Sequence, residues 1–149
     1  MTDYLFRLER PPITKKTSQN IALNKKTGKR FVMANPRQVD YQKFAAQVLH
    51  LQALSQGLRE HITHPVWVEA VFWLDADRDT DLTNLEQMLG DCLQAAGIIA
   101  TDALIHSWDG SRKGVSYPFP RTEIVLRQYE GLPLREGSPK GDGRKKAVG

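Results

Sequence analysis

Residues 66–74 read VWVEAVFWL, and the two faces of this stretch decide the fold. Successive side chains of a strand point to opposite faces. Val66, Val68, Ala70, Phe72 and Leu74 make one apolar face, and Trp67, Val71 and Trp73 make the other apolar as well. A strand that buries both faces belongs in the middle of a sheet. Pro65 marks its start, and the chain then turns to DADRDTDLTN at 75–84, too acidic to continue a buried strand.

Working outward from this strand, Leu85, Met88, Leu89, Cys92 and Ala96 fall on one stripe at about 100° per residue. The spacing predicts a helix from Thr83 to Ala96, closed by Gly97 in the left-handed cap position. Residues 103–109 and 122–129 read as two further strands, joined by the loop DGSRKGVSYPFP at 109–120. Upstream, Val39, Phe44, Val48, Leu51 or Leu54, and Leu58 predict a helix from Arg37 to Ile62, weakened near its end by Gly57. DYLFRLE at 3–9 reads as an opening strand ended by Pro11 and Pro12. The basic stretch TKKTSQNIALNKKTGKR at 14–30 reads as a loop or exposed hairpin turning at Gly28, with a short strand from Arg30 to Met33. Together these elements predict a single-domain α/β sandwich, a mixed sheet with two main helices, over residues 1–130. The Gly-, Pro- and Lys-rich residues 131–149 are expected to form a disordered basic tail.

Composition narrows the class. A chain of 149 residues suits one domain with one modest core. No stretch reaches the roughly 18 apolar residues of a membrane span, and the N-terminus lacks the apolar segment of a secretion signal. Cys92 is the lone cysteine, which excludes an intrachain disulfide and a thiolate zinc cluster. A cytoplasmic protein without a membrane partner is the expectation. His61 and His64 are three apart but have no third nitrogen or thiolate ligand nearby, so no zinc site is expected.

The net charge of +4 is unevenly spread. Residues 1–30 carry eight Lys/Arg against two acids, residues 131–149 five against two, and the middle eight against thirteen. Basic ends around an acidic centre suit a protein that attracts phosphates while holding cations centrally. A solvated surface with a charged tail has the same composition, so charge alone leaves both open. Lys15, Lys16, Lys25, Lys26, Lys29 and Arg30 are the candidate phosphate contacts, which position DNA without reading its sequence.

The candidate chemistry lies in Asp81, Asp91 and Asp102. Asp81 stands where the central strand gives way to the helix. Asp91 shares a polar stripe with Asn84 and Gln87, two turns along. Asp102 follows just after the helix ends. Carboxylates brought close repel unless a cation neutralises them, and hard oxygen ligands select Mg²⁺ or Mn²⁺. Such an ion polarises a phosphodiester and acidifies water, which is the chemistry of phosphodiester hydrolysis. The same residues also serve plainer roles: Asp81 or Thr83 as a helix cap, Asp91 as a solvated helix position, Asp102 as a turn cap. Spacing does not choose between them.

The stretch DLTNLEQMLGDCLQAAGIIATDALI, from Asp81 to Ile105, resembles the signature of RusA-type Holliday junction resolvases. Asp81, Leu82, Asn84 and Leu85 match its opening, Asp91 and Leu93 its middle, and Gly97 and Asp102 its end. RPPITKK at 10–16 and GKRF at 28–31 are similar to the family's proline-rich start and basic loop. The resemblance implies a homodimeric α/β nuclease that depends on Mg²⁺, with Mn²⁺ as substitute, and makes paired nicks in branched DNA. It implies that Asp81 and Asp102 are metal-binding catalytic carboxylates, with Asp91 a ligand or an orienting residue. Three positions depart from the pattern. Thr83 stands where some members have a second aspartate, Gln87 where a lysine is usual, and Thr101 where the first aspartate of a pair is found. Asp79, and less readily Asp77, is a replacement carboxylate, since alternate residues of an extended chain share a face. Arg112 or Lys113 is the replacement for the missing lysine charge. A branched-DNA-binding protein without nuclease activity is the alternative these departures imply.

Overall fold

The computed structural model describes residues 3–14, 20–23, 26–33, 36–132 and 135–139, with backbone alone at 20–23 and 30–33. The predicted central strand is β4, Val66–Leu74. Its antiparallel neighbour is β7, Arg121–Gln128, which pairs in turn with β1, Tyr4–Leu8. The other side of β4 is shared by two short parallel strands. β5, Ile105–Ser107, pairs at its beginning, and β6, Arg112–Val115, pairs along Val71–Leu74. In the gap between them the Ser111 hydroxyl accepts from the Ala70 N–H at 3.0 Å and lies 3.5 Å from the Val68 carbonyl. The result is a five-stranded mixed sheet with parallel and antiparallel pairs. A separate antiparallel hairpin, β2 (Asn20–Leu23) with β3 (Arg30–Met33), occupies the basic stretch. Its turn contains Gly28 at φ 70°.

Two helices, α1 (Pro36–Ser55) and α2 (Leu82–Ala95), close one face of the sheet. Val66, Val68, Ala70, Phe72 and Leu74 are buried beneath them, with Phe6, Leu8, Ile124 and Leu126 from the flanking strands. The predicted apolar stripe of α2 is buried, and Leu93 joins it. Among the described residues the opposite sheet face has no helix and is covered by side chains of its own strands. The Arg127 guanidinium lies 3.9 Å from the Trp67 ring centre and Arg121 lies 5.1 Å from that of Trp73. These cation–ring contacts leave Trp67 and Trp73 half-buried rather than bare, and Val71 between them is half-buried too.

Three expectations are corrected. α1 stops at Ser55 instead of reaching Ile62, because Gly57 takes a left-handed φ of 86° and the Leu58 N–H turns back to the Ala53 carbonyl. Its buried face is Gln38, Tyr41, Ala45, Leu49 and Ala53. Val39, Leu51 and Leu54 are exposed, and Phe44, Val48 and Leu58 pack only at the edge of the core. Lastly, the predicted 109–120 loop contains β6, and the predicted 103–109 strand is a 3-10 turn, Asp102–Leu104, followed by the three residues of β5. Of the expected tail, 131–132 and 135–139 are described and lie outside helix and strand. No helix among the described residues is long and apolar enough to cross a membrane.

Candidate functional site

The end of α2 determines what faces its side. Ala96 and Gly97 cap the helix onto Cys92 and Gln94, and Gly97 adopts the predicted left-handed φ, 75°. The chain then reverses. It is pinned to the end of the α1–β4 connection by Ile62 N–H to Ile98 O at 2.8 Å and Ala100 N–H to Ile62 O at 3.0 Å. Thr101 caps the 3-10 turn, its hydroxyl accepting from the Ala103 N–H, and Gln94 Oε1 accepts from the Asp102 N–H at 2.9 Å. Asp102 is thereby laid alongside α2 at Gly90. A Cβ built on Gly90 would stand 3.5 Å from the Asp102 Cβ, 3.6 Å from Ile105 Cδ1 and 3.9 Å from Trp108 Cζ2. A methyl group at 90 would thus just touch these three side chains.

Between α2 and the returning chain lies a cavity of about 370 Å³, lined by Thr83, Glu86, Gln87, Gly90, Asp102, Ile105 and Trp108. Thr83, Gln87 and Gly90 are neighbours on one helical face through their three- and four-residue spacing. Two carboxylates, an amide and a hydroxyl thus meet one indole ring and one isoleucine. Glu86 is the carboxylate that sequence reading missed. Burial holds its carboxyl above the usual range, so an uncompensated charge there is disfavoured. Its one signal in the sequence is its place three residues after Thr83, on the same turn.

The other expected carboxylates lie elsewhere. Asp81 is in the N-cap position of α2, exposed, and its Oδ2 accepts from Asn84 Nδ2 at 3.4 Å. Its side chain makes no cap bond to the helix backbone. Asp81 precedes Gly90 by nine residues, about 13 Å of helical rise. Asp91 is half-buried on α2, and Asp79 and Asp77 are exposed on the segment before it; none of the three lines the cavity. Among the described residues no three Asp, Glu, His or Cys side chains converge as a ready metal cage.

The basic candidates divide in the same way. Lys113 Nζ donates to the Thr80 carbonyl at 2.6 Å, which holds its ammonium one residue from Asp81. Arg112 turns to Glu69 at 3.6 Å and to the Gly110 carbonyl at 3.0 Å. Lys26 and Lys29 are exposed at the β2–β3 turn. Lys15, Lys16 and Lys25 lie outside the described residues, as does the side chain of Arg30. His64 Nδ1 is 3.0 Å from the Pro65 carbonyl and His61 is exposed.

The cavity therefore unites Asp102 with Thr83 and Gln87, three positions of the signature, and adds Glu86. Asp81 does not line it, and the Lys113 ammonium is held at the residue before Asp81, on the Thr80 carbonyl. No protein-family model matches the chain, and no curated protein matches it.

Proposed function

We propose that the chain is a structure-selective endodeoxyribonuclease acting on four-way DNA junctions, with the α2 groove as its active site. The observation that supports this reading is the meeting of Asp102 with Thr83 and Gln87 in one cavity: Asp102 matches an aspartate of the RusA-type signature, and Thr83 and Gln87 stand where some members have a second aspartate and where a lysine is usual. The donor set suits a hard cation. Mg²⁺ is commonly held by one or two carboxylates and keeps waters and substrate phosphate oxygens as its other ligands. Asp102 and Glu86 would hold it here, with Gln87 and Thr83 offering neutral oxygens; Asp81, Asp91 and Asp79, the other carboxylates that sequence assigned to the metal, stand outside the groove. When bound, the ion neutralises the negative charge of the reacting phosphodiester and acidifies water.

The chain's own groups do the rest. Trp108 and Ile105 wall one side of the groove against solvent. Lys113, tethered at Thr80, sets a positive charge beside the start of α2, as the replacement for the lysine that the signature has at the position of Gln87. The basic residues of the β2–β3 hairpin hold the DNA backbone. Two symmetric nicks need two sites, which calls for a two-fold homodimer.

A second reading is a branched-DNA-binding protein without cleavage, favoured by the absence of a three-carboxylate cage among the described residues. One experiment separates the two. Purified chain is incubated with a labelled four-way junction and with linear duplex, in Mg²⁺, Mn²⁺ or chelator. Metal-dependent nicking of the junction, lost in Asp102→Asn and in Asp81→Asn, is the expected result. Tight binding without nicking selects the second reading, and failure to prefer the junction over duplex removes both.

A further inference from the structure

A strand at the edge of a sheet exposes the N–H and C=O groups of alternate residues, and a neighbouring strand is what normally satisfies them. β1 is such an edge, and its outward groups belong to Leu5 and Arg7. Both residues are fully bonded, but by side chains. The Leu5 N–H donates to Gln56 Oε1 at 2.8 Å, and Gln56 Nε2 donates to the Leu5 carbonyl at 2.7 Å. Gln52 makes the same two-way pair with Arg7, both bonds at 2.9 Å. Each amide reproduces the exchange that one residue of an antiparallel strand would make. The fit arises because four residues of helix rise by about 6.0 Å, close to the roughly 6.8 Å between alternate strand residues.

We infer that the outer edge of β1 is a strand-addition surface for a second copy of this chain, and that Gln52 and Gln56 hold it shut. The occupant follows from the residues of β1 itself. Antiparallel pairing about a two-fold at Leu5 sets Leu5 against Leu5, Tyr4 against Phe6 and Asp3 against Arg7; these opposite charges pair within the chain, Asp3 with Arg127 at 3.3 Å and Arg7 with Glu9 at 3.0 Å and Glu123 at 3.7 Å, so strand addition exchanges those partners for each other. A two-fold at Phe6 sets Asp3 against Glu9, and one at Arg7 sets Arg7 against itself, both unfavourable. Leu5 is already 62% exposed, so its side chain is free to meet its copy. The pairing would join two sheets edge to edge, and it goes beyond the nuclease reading because it uses no residue of the groove.

The test compares the native chain with Gln52→Ala/Gln56→Ala by sedimentation velocity, with circular dichroism to verify the fold. The double variant is expected to show a species of twice the native mass. Adding Leu5→Pro removes the central donor without touching the β1–β7 ladder, since that N–H points away from β7, and is expected to restore the native mass. A folded double variant of unchanged mass overturns the inference, as does a larger species that survives Leu5→Pro. Should the double variant fail to fold, Gln56→Ala alone frees the pair at Leu5, the centre of the two-fold, and the same two readings apply to it.

Discussion

Two glycines illustrate how differently the same missing side chain is used. At Gly90, within α2, an added methyl group meets Asp102, Ile105 and Trp108 at ordinary contact distances of 3.5–3.9 Å. Gly90→Ala should therefore stabilise the fold by about 0.5–1 kcal/mol through helix propensity, read as a higher urea midpoint. At Gly114 the methyl would come within 2.9 Å of Trp73 Cζ3 and 3.1 Å of Cε3. Gly114→Ala should force the indole off Glu123 and cost about 1–3 kcal/mol in the same measurement. Two carboxylates make an opposed pair in pH. Glu123 accepts from Trp73 Nε1 at 3.1 Å and lies near Arg121 and Arg7, and these hold its carboxyl below the usual range, the indole bond first. Its contribution is present above the unfolded carboxylate range and is lost as pH falls through the folded value. Glu123→Gln should cost about 0.5–1 kcal/mol at neutral pH, a figure discounted for solvent screening, and the difference should close in acid. Glu86 has the reverse sign: its raised carboxyl opposes folding once ionised, so Glu86→Gln should raise the melting temperature at neutral pH and leave it unchanged in acid. At this scale the places of Asp81 at the start of α2 and of Asp102 in the turn after it were legible, because a helix start and a post-helix turn are written in local residues. Glu86 was not, because its cavity exists only once Trp108 returns to the helix.

Among the elements, legibility follows how uniquely a pattern chooses its face. β4 was readable because apolar residues dominate both of its faces, Glu69 apart, which leaves the centre of a sheet as its place, although only the even-numbered face is fully buried. α2 was readable because its apolar residues keep to one side. α1 is apolar on several sides, so Val39, Leu51 and Leu54 compete in the sequence with Tyr41, Leu49 and the small Ala45 and Ala53 that in fact meet the core. The register makes a sharp expectation. Leu49→Ala should cost about 2–5 kcal/mol by denaturant unfolding, whereas Leu51→Ala, 65% exposed, should stay within about 0.5 kcal/mol of the native chain. β6 was not legible at all. Arg112, Lys113 and Gly114 have no strand pattern of their own, and their pairing is supplied by the bare side of β4, a partner about forty residues away.

For the whole molecule the informative quantity is how acid and base are shared out. The sheet topology brings the turn after α2 back to the middle of that helix, which puts Asp102 in the groove with Glu86. β6 runs parallel to β4 and delivers Lys113 to the segment that precedes α2. A chain that uses this groove for a divalent ion gains stability from it by mass action, about 2.7 kcal/mol at a hundredfold excess over the dissociation constant. Mg²⁺ should therefore raise the melting temperature of the native chain and leave that of Asp102→Asn unmoved, in the absence of any DNA. The serine between β5 and β6 has a consequence of another kind. Where the two short strands fail to meet, one hydroxyl substitutes for an entire peptide unit at the heart of the sheet, so the protection of the Ala70 amide against deuterium is entrusted to a side chain. Ser111→Ala should make that single proton exchange early while its neighbours in β4 stay dark, a local leak in an otherwise sealed strand.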